Sequence, residues 1–516
     1  MSEPQPTQNQ IDLDSLAEII RSMAKALPED IALVKKAFDF VQRAHHGHQR
    51  HSGEPYLMHL TETARILAEL GTSSSTIAAG LLHDSLEDAG VKREDIVKEF
   101  GEEIAFLVEG VTKLGHLKYK GADRHNESLR KLFVAMSEDI RVLLIKFADR
   151  LHNMRTLSHV PKDKQKRIAT ETLEIYAPIA YRLGIRKINR ELEDLSFPYV
   201  YPKEYEEMRK TLKELHLDRA ESLEKFSRSV RKELAKEGLT KANTEYRVKG
   251  LYSLYKKYLR YNKDFEKIYD ISAMRVLVDS IADCYRVLGV IHGRWRPLPR
   301  RIKDYIAFPK PNGYQGLHTT IFIGDGNIVE VQIKTHEMQR YSEYGIASHL
   351  FYKEGRQDKN LLAWIYAFLP KSKGPTKENT IKNEDVPKWV SELAIYGESS
   401  KDRQRFRERL AGDFFCQRIF VFSPKGDVVD LPIDSSPIDF AYSIHSDVGN
   451  HMTGAKVNGK LVSLDTSLHN GDIVFIMTNE SAKPNQKWID MAKTSMAKRH
   501  IRNRLSKLEK PKKLIC

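Results

Sequence analysis

The stretch from Arg301 to Gln332, RIKDYIAFPKPNGYQGLHTTIFIGDGNIVEVQ, leaves the chain few ways to fold. GLHTTIFI has strand character, Gly324-Asp325-Gly326-Asn327 is a hairpin turn, and IVEVQI is the returning strand. Side chains on a strand alternate between its faces. Val329, Val331 and Ile333 therefore share a face that can seal a core, and Glu330 and Gln332 share the other. Arg301, Lys303 and Lys310 come first, followed by a Pro-Asn-Gly turn at 311–313 and then Tyr314. A carboxylate among positive charges suits a base working beside a polyanion. A surface sheet with a charged outer face is the competing reading.

At 516 residues the chain is long enough for about three to five domains. Cys284, Cys416 and Cys516 lie far apart and form no CxxC, which argues against a structural zinc site or disulfide framework and fits a reducing, cytoplasmic setting. No apolar run is long enough to span a bilayer, and MSEPQPTQNQ is no signal peptide, so no membrane partner is expected. The formal charge of +14 is uneven: between Arg247 and Lys310 basic side chains outnumber acidic ones by more than two to one. Such an excess suits phosphate-rich ligands, nucleotides or RNA, or else a solvated basic face.

Residues 1–11 read as disordered, and 12–200 as an all-α domain. HHGHQRHSGEPYLMH holds His45, His46, His48, His51 and His59, a cluster that surface decoration would also explain. His59 stands apart, opening the helix HLTETARILAEL on its polar side. In AAGLLHDSLEDAG, His83 and Asp84 are followed at i+4 by Glu87 and Asp88, so each pair stacks along one helix side beside an apolar stripe. RVLLIKFADRLHNMRTL places Asp149 after an apolar run and Asn153 one turn later. His59, His83, Asp84 and Asp149 make a nitrogen and oxygen ligand set for Mn²⁺, Fe²⁺ or Zn²⁺, leaving Glu87 and Asp88 to move protons or orient water. Ordinary capped and salt-bridged helices, with His152 and His159 exposed, are the alternative.

A charged helical linker, 201–240, leads to a central region at 241–355. Tyr252, Tyr255 and Tyr258 form a helical stripe assigned to packing. Arg247, Lys249, Ser253 and Lys257 are polar groups ahead of Asp270, which precedes the strand AMRVLV. Asp270 and Glu330 then face each other across one cleft. One can hold Mg²⁺ while the other takes a proton, with Arg and Lys neutralising phosphate charge. No Walker A sequence is present, which excludes a P-loop ATPase. Residues 356–412 read as linker and connecting helices. FFCQRIFVFSPKGDVVDLP reads as a hairpin within a small ubiquitin-like mixed domain, 413–479, and 480–516 as the start of a basic helical region.

Three sets of motifs resemble the long RelA/SpoT homologue family of alarmone synthetase/hydrolases. They are GHQRHSGEPYLMH, HDSLED and KFADRLHNMRTL; RVKGLYSLYKK, YDISAMRVLV, RIKDYIAFPKPNGYQGLHTT and VEVQIKT; and AYSIHSDVG, AKVNGKLV and NGDIVFI. The resemblance implies an all-α HD-type hydrolase domain, an α/β nucleotidyltransferase-like synthetase domain with a mixed sheet, and a β-grasp TGS domain. It implies manganese on His59, His83, Asp84 and Asp149, catalysis by Glu87 and Asp88, and nucleotide contacts from Arg50, His51 and Asn153. His51 stands where the family usually has Lys.

For the second site the resemblance implies Mg²⁺ on Asp270 and Glu330, with Glu330 activating the 3′-hydroxyl of the acceptor. Tyr314 would stack on guanine, and Arg247, Lys249, Ser253, Lys257, Arg301, Lys303, Lys310 and His318 would surround phosphates. Asn312 and Gln332 would hold the acceptor nucleotide. Gly316 stands where Ser is common, and Lys334 replaces a frequent Arg. The expected reactions are pyrophosphate transfer from ATP to GDP or GTP and hydrolysis of (p)ppGpp. A single active site, or a ribosome-binding regulator with a decayed core, are the alternatives. Ribosome and uncharged tRNA are expected partners through the TGS region and domains that long members carry beyond it, and self-association is left open. His445 reads as a capped turn histidine in preference to a tRNA contact.

Overall fold

A computed structural model of the chain describes residues 8–23, 26–50, 52–115, 139–265, 268, 272–299, 301–310, 314–323, 327–345, 347, 418–426, 428–469 and 471–509. His51, Asp270 and Asn312, the 324–326 turn residues and the 356–412 segment lie outside them, as does the side chain of Arg247. The chain divides into two compact units, Met1–Ser391 and Glu392–Cys516.

The first unit begins as packed helices, each built by local rules. Pro28–Ala44 starts with Pro at its first turn and Asp30 capping the Leu27 N–H at 2.9 Å. It buries Val34, Ala37, Phe38 and Val41, an i, i+3, i+4, i+7 stripe. Ser74–Leu82, capped by the Ser73 hydroxyl, is apolar all round and buried from Thr76 onward. It packs so closely on Tyr56–Glu69 that a Cβ at Gly80 would fall 2.3 Å from Leu67 Cδ1. Tyr56–Glu69 starts three residues before His59, and His59 is only 1% exposed, so it faces the core and not the polar side the sequence suggested. Asp139 caps Ile140–Arg155, whose Asp149 and His152 are both buried among apolar neighbours.

The central sheet has the order β1-β2-β5-β4-β3. Its strands are β1 Asn243–Val248, β2 Ser272–Val278, β3 Lys303–Asp304, β4 Leu317–Phe322 and β5 Ile328–Thr335. β2 and β5 are parallel and the other pairs antiparallel. β4 and β5 form the expected hairpin, with Phe322 opposite Ile328. Val329, Val331 and Ile333 enter the core together with Cys284, Val287 and Ile291 of the helix Ile281–Arg294. Leu223, Phe226, Val230 and Leu234 join the same core from the 35-residue helix Pro202–Lys236. The segment read as a linker is thus one long helix whose second half covers the sheet.

Helix Arg186–Val200 touches both halves of this unit. It packs on Lys162–Glu171 and Ile140–Arg155 on one side, and on Leu251–Arg260 and His336–Tyr344 on the other. Phe197 lies against Tyr252 and Tyr255, which makes those tyrosines packing groups.

The second unit pairs β6 Arg418–Phe422 with β7 Val428–Pro432 across the Pro-Lys-Gly turn. β10 Val474–Thr478, β8 Met452–Val457 and β9 Lys460–Val462 form a further sheet, with one parallel bridge from Phe422 to Ile473. Helix Pro437–Ile444 packs its Ile438, Ala441 and Tyr442 with Ala497 and Ile501 of the basic helix Ser495–Glu509. His445 caps helix Ser446–Asn450, accepting from Asp447 N at 3.2 Å, as the capped-turn reading has it. No helix of the described residues is long and apolar enough to cross a membrane.

Asp439 ties these helices together. Fully buried, it accepts hydrogen bonds from the N–H groups of Ser436, Lys493 and Thr494 and from the hydroxyls of Ser436 and Thr494, all at 2.8–3.0 Å. Asp439→Ala strands these donors and should cost the second unit about 3 kcal/mol or more. Urea unfolding of the full chain, followed by proteolytic sensitivity of the 418–509 region, measures this. A loss below about 1 kcal/mol would show that the network contributes little.

Two candidate active sites

The first site lies where three helices meet. His59 comes from Tyr56–Glu69, His83 ends Ser74–Leu82, and Asp149 comes from Ile140–Arg155. One ligand atom from each of these buried residues lies within 4.8 Å of the others. Asp84 Oδ2 adds a fourth position, 3.1 Å from His83 Nε2 and 3.5 Å from His59 Nε2. Asp149 Oδ1 lies 3.5 Å from His59 Nε2 and 4.0 Å from His83 Nε2.

Hydrogen bonds on the far sides of the rings fix their orientation. His83 Nδ1 meets Gly80 O at 2.7 Å and so carries its proton there. Its buried Nε2 faces Asp84 Oδ2 at 3.1 Å; burial lowers the His83 pKa, but the Asp84 carboxylate outweighs it and raises it to about 9. A proton or a cation suits the space between these groups, and the donor set of two imidazoles and two carboxylates fits a divalent metal. Burial pushes the Asp84 carboxyl up, but the His83 and His59 imidazoles outweigh it and hold the group well below the usual carboxylate range. Asp149 is likewise held far below its ordinary value: burial opposes the charge, while Lys146 at 2.7 Å and the imidazoles favour it.

Arg50 and Asn153 stand beside this cluster. Arg50 reaches His59 Nδ1 at 3.1 Å, His152 Nδ1 at 3.0 Å and the Asn153 side-chain oxygen, and Asn153 donates in turn to Asp149. His152, exposed in the alternative reading of ordinary salt-bridged helices, is 7% exposed and lies 2.7 Å from His59, ring nitrogen to ring nitrogen. Burial, with His59 and Arg50 beside it, lowers its pKa to about 3, so it is a neutral acceptor that can orient His59. Its i+3 spacing from Asp149 was the available signal. Glu87 and Asp88 lie exposed at the rim. His45 is 3% exposed and stacks on Tyr56, so the histidine cluster is not all surface.

The second site lies on the polar face of β4 and β5. Lys303, His318 and Gln332 are partners across three strands, with Arg275 of β2 beyond them. His318 Nδ1 lies 2.9 Å from Glu330 Oε1, and Gln332 Nε2 donates to Glu330 Oε2 at 3.1 Å. The Tyr314 hydroxyl meets His318 Nε2, so donation there places the ring proton on Nδ1, facing Glu330. Glu330 is thus held by hydrogen bonds on both oxygens.

Cations enclose Tyr314, which is 3% exposed. Lys334 Nζ lies 4.2 Å from its ring centroid, Arg186 Cζ 4.8 Å and Lys310 Nζ 5.0 Å. Gly316 and Lys334, both departures from the family pattern, touch: at the Gly316 φ of +147° a Cβ would lie 3.0 Å from Lys334 Cγ. Burial first, and then Arg186 and Lys303, push Lys310 down to about 7. Ser253 and Lys256 meet Glu193 of helix Arg186–Val200 at 3.2 and 2.7 Å. Lys249 and Lys257 are half-buried near that helix junction, and Arg301 is exposed. Arg186, which comes from the other half of the unit, carries no motif that would single it out from sequence.

Comparison with known proteins agrees with this division. The HD domain profile matches residues 37–186, the region found in RelA / SpoT proteins matches 246–357, and the TGS domain matches 419–478. A guanosine-3′,5′-bis(diphosphate) 3′-pyrophosphohydrolase of Aquifex aeolicus is 42% identical over 97% of this chain and 68% of its own length. A GTP pyrophosphokinase of Myxococcus xanthus is 43% identical over 94% of this chain and 62% of its own. One from Streptomyces coelicolor is 42% identical over 96% and 58%. The chain therefore spans between 58% and 68% of the length of these relatives. With HD, RelA/SpoT and TGS regions in that order, and relatives matched along nearly all of it, the chain belongs to the long RelA/SpoT family.

Proposed function

We propose that this chain is a two-site alarmone enzyme. The central site transfers pyrophosphate from ATP to the 3′-hydroxyl of GDP or GTP, and the N-terminal site removes the 3′-pyrophosphate of (p)ppGpp. The observation that carries this reading is the contrast between two carboxylate centres in one compact unit. Asp84 and Asp149 meet the Nε2 atoms of the buried imidazoles His83 and His59, whereas Glu330 faces His318, Gln332 and a group of cations.

At the N-terminal site His59, His83, Asp84 and Asp149 would hold Mn²⁺. When bound, the ion polarises a phosphoryl oxygen and lowers the pKa of water. Glu87 and Asp88 move protons at the rim, and Arg50, tied to Asn153, neutralises phosphate charge next to the cluster. His51 belongs to the same nucleotide contact. At the central site Glu330 takes the proton of the acceptor hydroxyl or, with Asp270, holds Mg²⁺. His318 and Gln332 keep its carboxylate oriented, and Lys303, Lys310, Arg301, Lys249, Lys257 and Arg247 offset phosphate charge. Guanine stacking on Tyr314 requires its covering cations to move aside. A cytoplasmic enzyme that meets the ribosome and uncharged tRNA through its TGS region belongs to the same proposal.

Two incubations test it: ATP and GDP with Mg²⁺, and ppGpp with Mn²⁺, each followed by anion-exchange chromatography. Asp149→Ala should abolish hydrolysis and retain synthesis. Glu330→Gln should lower synthesis by about 10²-fold or more and retain hydrolysis. No turnover in either reaction by folded, metal-loaded wild type would overturn the proposal.

Lys310 gives a proton-linked prediction. Its folded pKa of about 7 leaves it largely neutral at pH 8. A bound polyphosphate favours the ammonium, so nucleotide binding takes up a proton between about pH 7 and the ordinary lysine value of about 10.4. Affinity should therefore weaken as pH rises through that window. Calorimetry in buffers of different ionisation enthalpy measures the uptake. Lys310→Arg, charged throughout, should abolish it, and equal uptake by that variant would contradict the assignment.

A further inference from the structure

The hydrolytic reading uses Asp84 as a ligand and Asp88 as a proton carrier, but says nothing about what holds the two apart. They sit one turn from each other, with Asp88 N–H donating to Asp84 O at 2.9 Å. Two carboxylates this close repel and tend to rearrange or share a proton. Between them stands the hydroxyl of Tyr56, 2.7 Å from Asp84 Oδ2 and 2.7 Å from Asp88 Oδ2.

We propose, building on the hydrolase reading, that Tyr56 is a positioning residue that bridges the metal-binding carboxylate of Asp84 and the proton-transferring carboxylate of Asp88.

Several features fix the bridge in place. Tyr56 opens its helix directly after Pro55, and its N–H donates to His48 O at 2.9 Å. His59 follows at i+3, so the bridge and the metal-binding imidazole share one helix face. The Tyr56 ring is clamped, stacked on His45 with centroids 5.1 Å apart and planes 6° apart, with the His59 ring edge-on at 5.8 Å. His45 is buried, and neither of its ring nitrogens has a hydrogen-bond partner. It serves as a flat wall and does not compete for the phenol.

A phenol has a single proton and donates to one acceptor at a time. The Asp84 oxygen it meets is the same atom that lies 3.1 and 3.5 Å from the Nε2 atoms of His83 and His59. That oxygen has a second lone pair beside the one facing the imidazoles, so the phenol can brace the Asp84 ligand and, in turn, Asp88, each 2.7 Å from the one hydroxyl.

Tyr56→Phe tests the bridge because it keeps the ring, and with it the His45 stack, and removes only the hydroxyl. Two quantities are read on the full chain: Mn²⁺ affinity, from the electron paramagnetic resonance signal of free Mn²⁺, and the kcat and KM of ppGpp hydrolysis at saturating Mn²⁺. Mn²⁺ affinity should fall by about 10–100-fold, kcat should fall by about tenfold, and KM should change less than about threefold. Thermal unfolding of the metal-free protein should shift by no more than a few degrees, which separates positioning from a fold defect. Either Mn²⁺ affinity or kcat remaining within about twofold of wild type overturns the bridging role. A wild type that binds Mn²⁺ without hydrolysing ppGpp would defeat the hydrolase reading alone, and the affinity comparison would still decide the role of Tyr56.

Discussion

A carboxylate removed from water must stay close to groups that favour its charge, and this constraint organises the molecule. Asp149 has Lys146, Asn153 and two imidazoles, and Asp439 has only backbone N–H groups and hydroxyls. Glu330 has an imidazole and an amide on a sheet face lined with cations. The surroundings sort these carboxylates by role. Buried imidazoles paired with carboxylates make a donor set that suits a cation, whereas N–H and O–H donors alone make a structural brace. Fixed positive charges around a held carboxylate prepare a place for phosphate.

The two candidate sites are joined by more than connecting chain. Helix Arg186–Val200 sends Arg186 over Tyr314 and Glu193 to Ser253 and Lys256. Asp194 of the same helix caps the start of Leu251–Arg260, accepting from Tyr252 N at 3.1 Å. At Gly250 a Cβ would lie 2.7 Å from Asp194 Oδ2, so glycine is what lets these halves approach. A shift of this helix would be felt at the Ile140–Arg155 helix and at the Tyr314 pocket together, a shorter route than the Pro202–Lys236 helix provides.

The legible parts of the fold were those that follow from periodicity. Alternation alone separated Val329, Val331 and Ile333 from Glu330 and Gln332, because a strand has just two faces. The spacing of Asp84 and Asp88 likewise marked one helical turn, but His83 ends one helix and Asp84 opens the next, so His83 is buried while Glu87 is exposed and the two do not share a side. Less legible was which side of a helix faces the core when both sides carry polar groups. His59 was read on the wrong face and His152 as incidental, since burial of a histidine depends on partners distant in sequence. Tyr56 and Arg186 went unnoticed for the same reason: a tyrosine beside a proline and an arginine opening a helix are ordinary until Asp84, Asp88 and Tyr314 are brought against them. The Pro202–Lys236 helix looked like a charged linker because its buried stripe is narrow, with Leu223, Phe226, Val230 and Leu234 spread over more than three turns.

The paired imidazoles and carboxylates of the N-terminal site, and not the cation-lined sheet, make the donor set for a tightly held divalent ion. Anomalous diffraction at the manganese absorption edge, from crystals of the full chain grown with Mn²⁺ and without nucleotide, tests it directly. A strong peak is expected bounded by His59 Nε2, His83 Nε2, Asp84 and Asp149, and none beside Glu330. A peak at Glu330 with none among the histidines would contradict it.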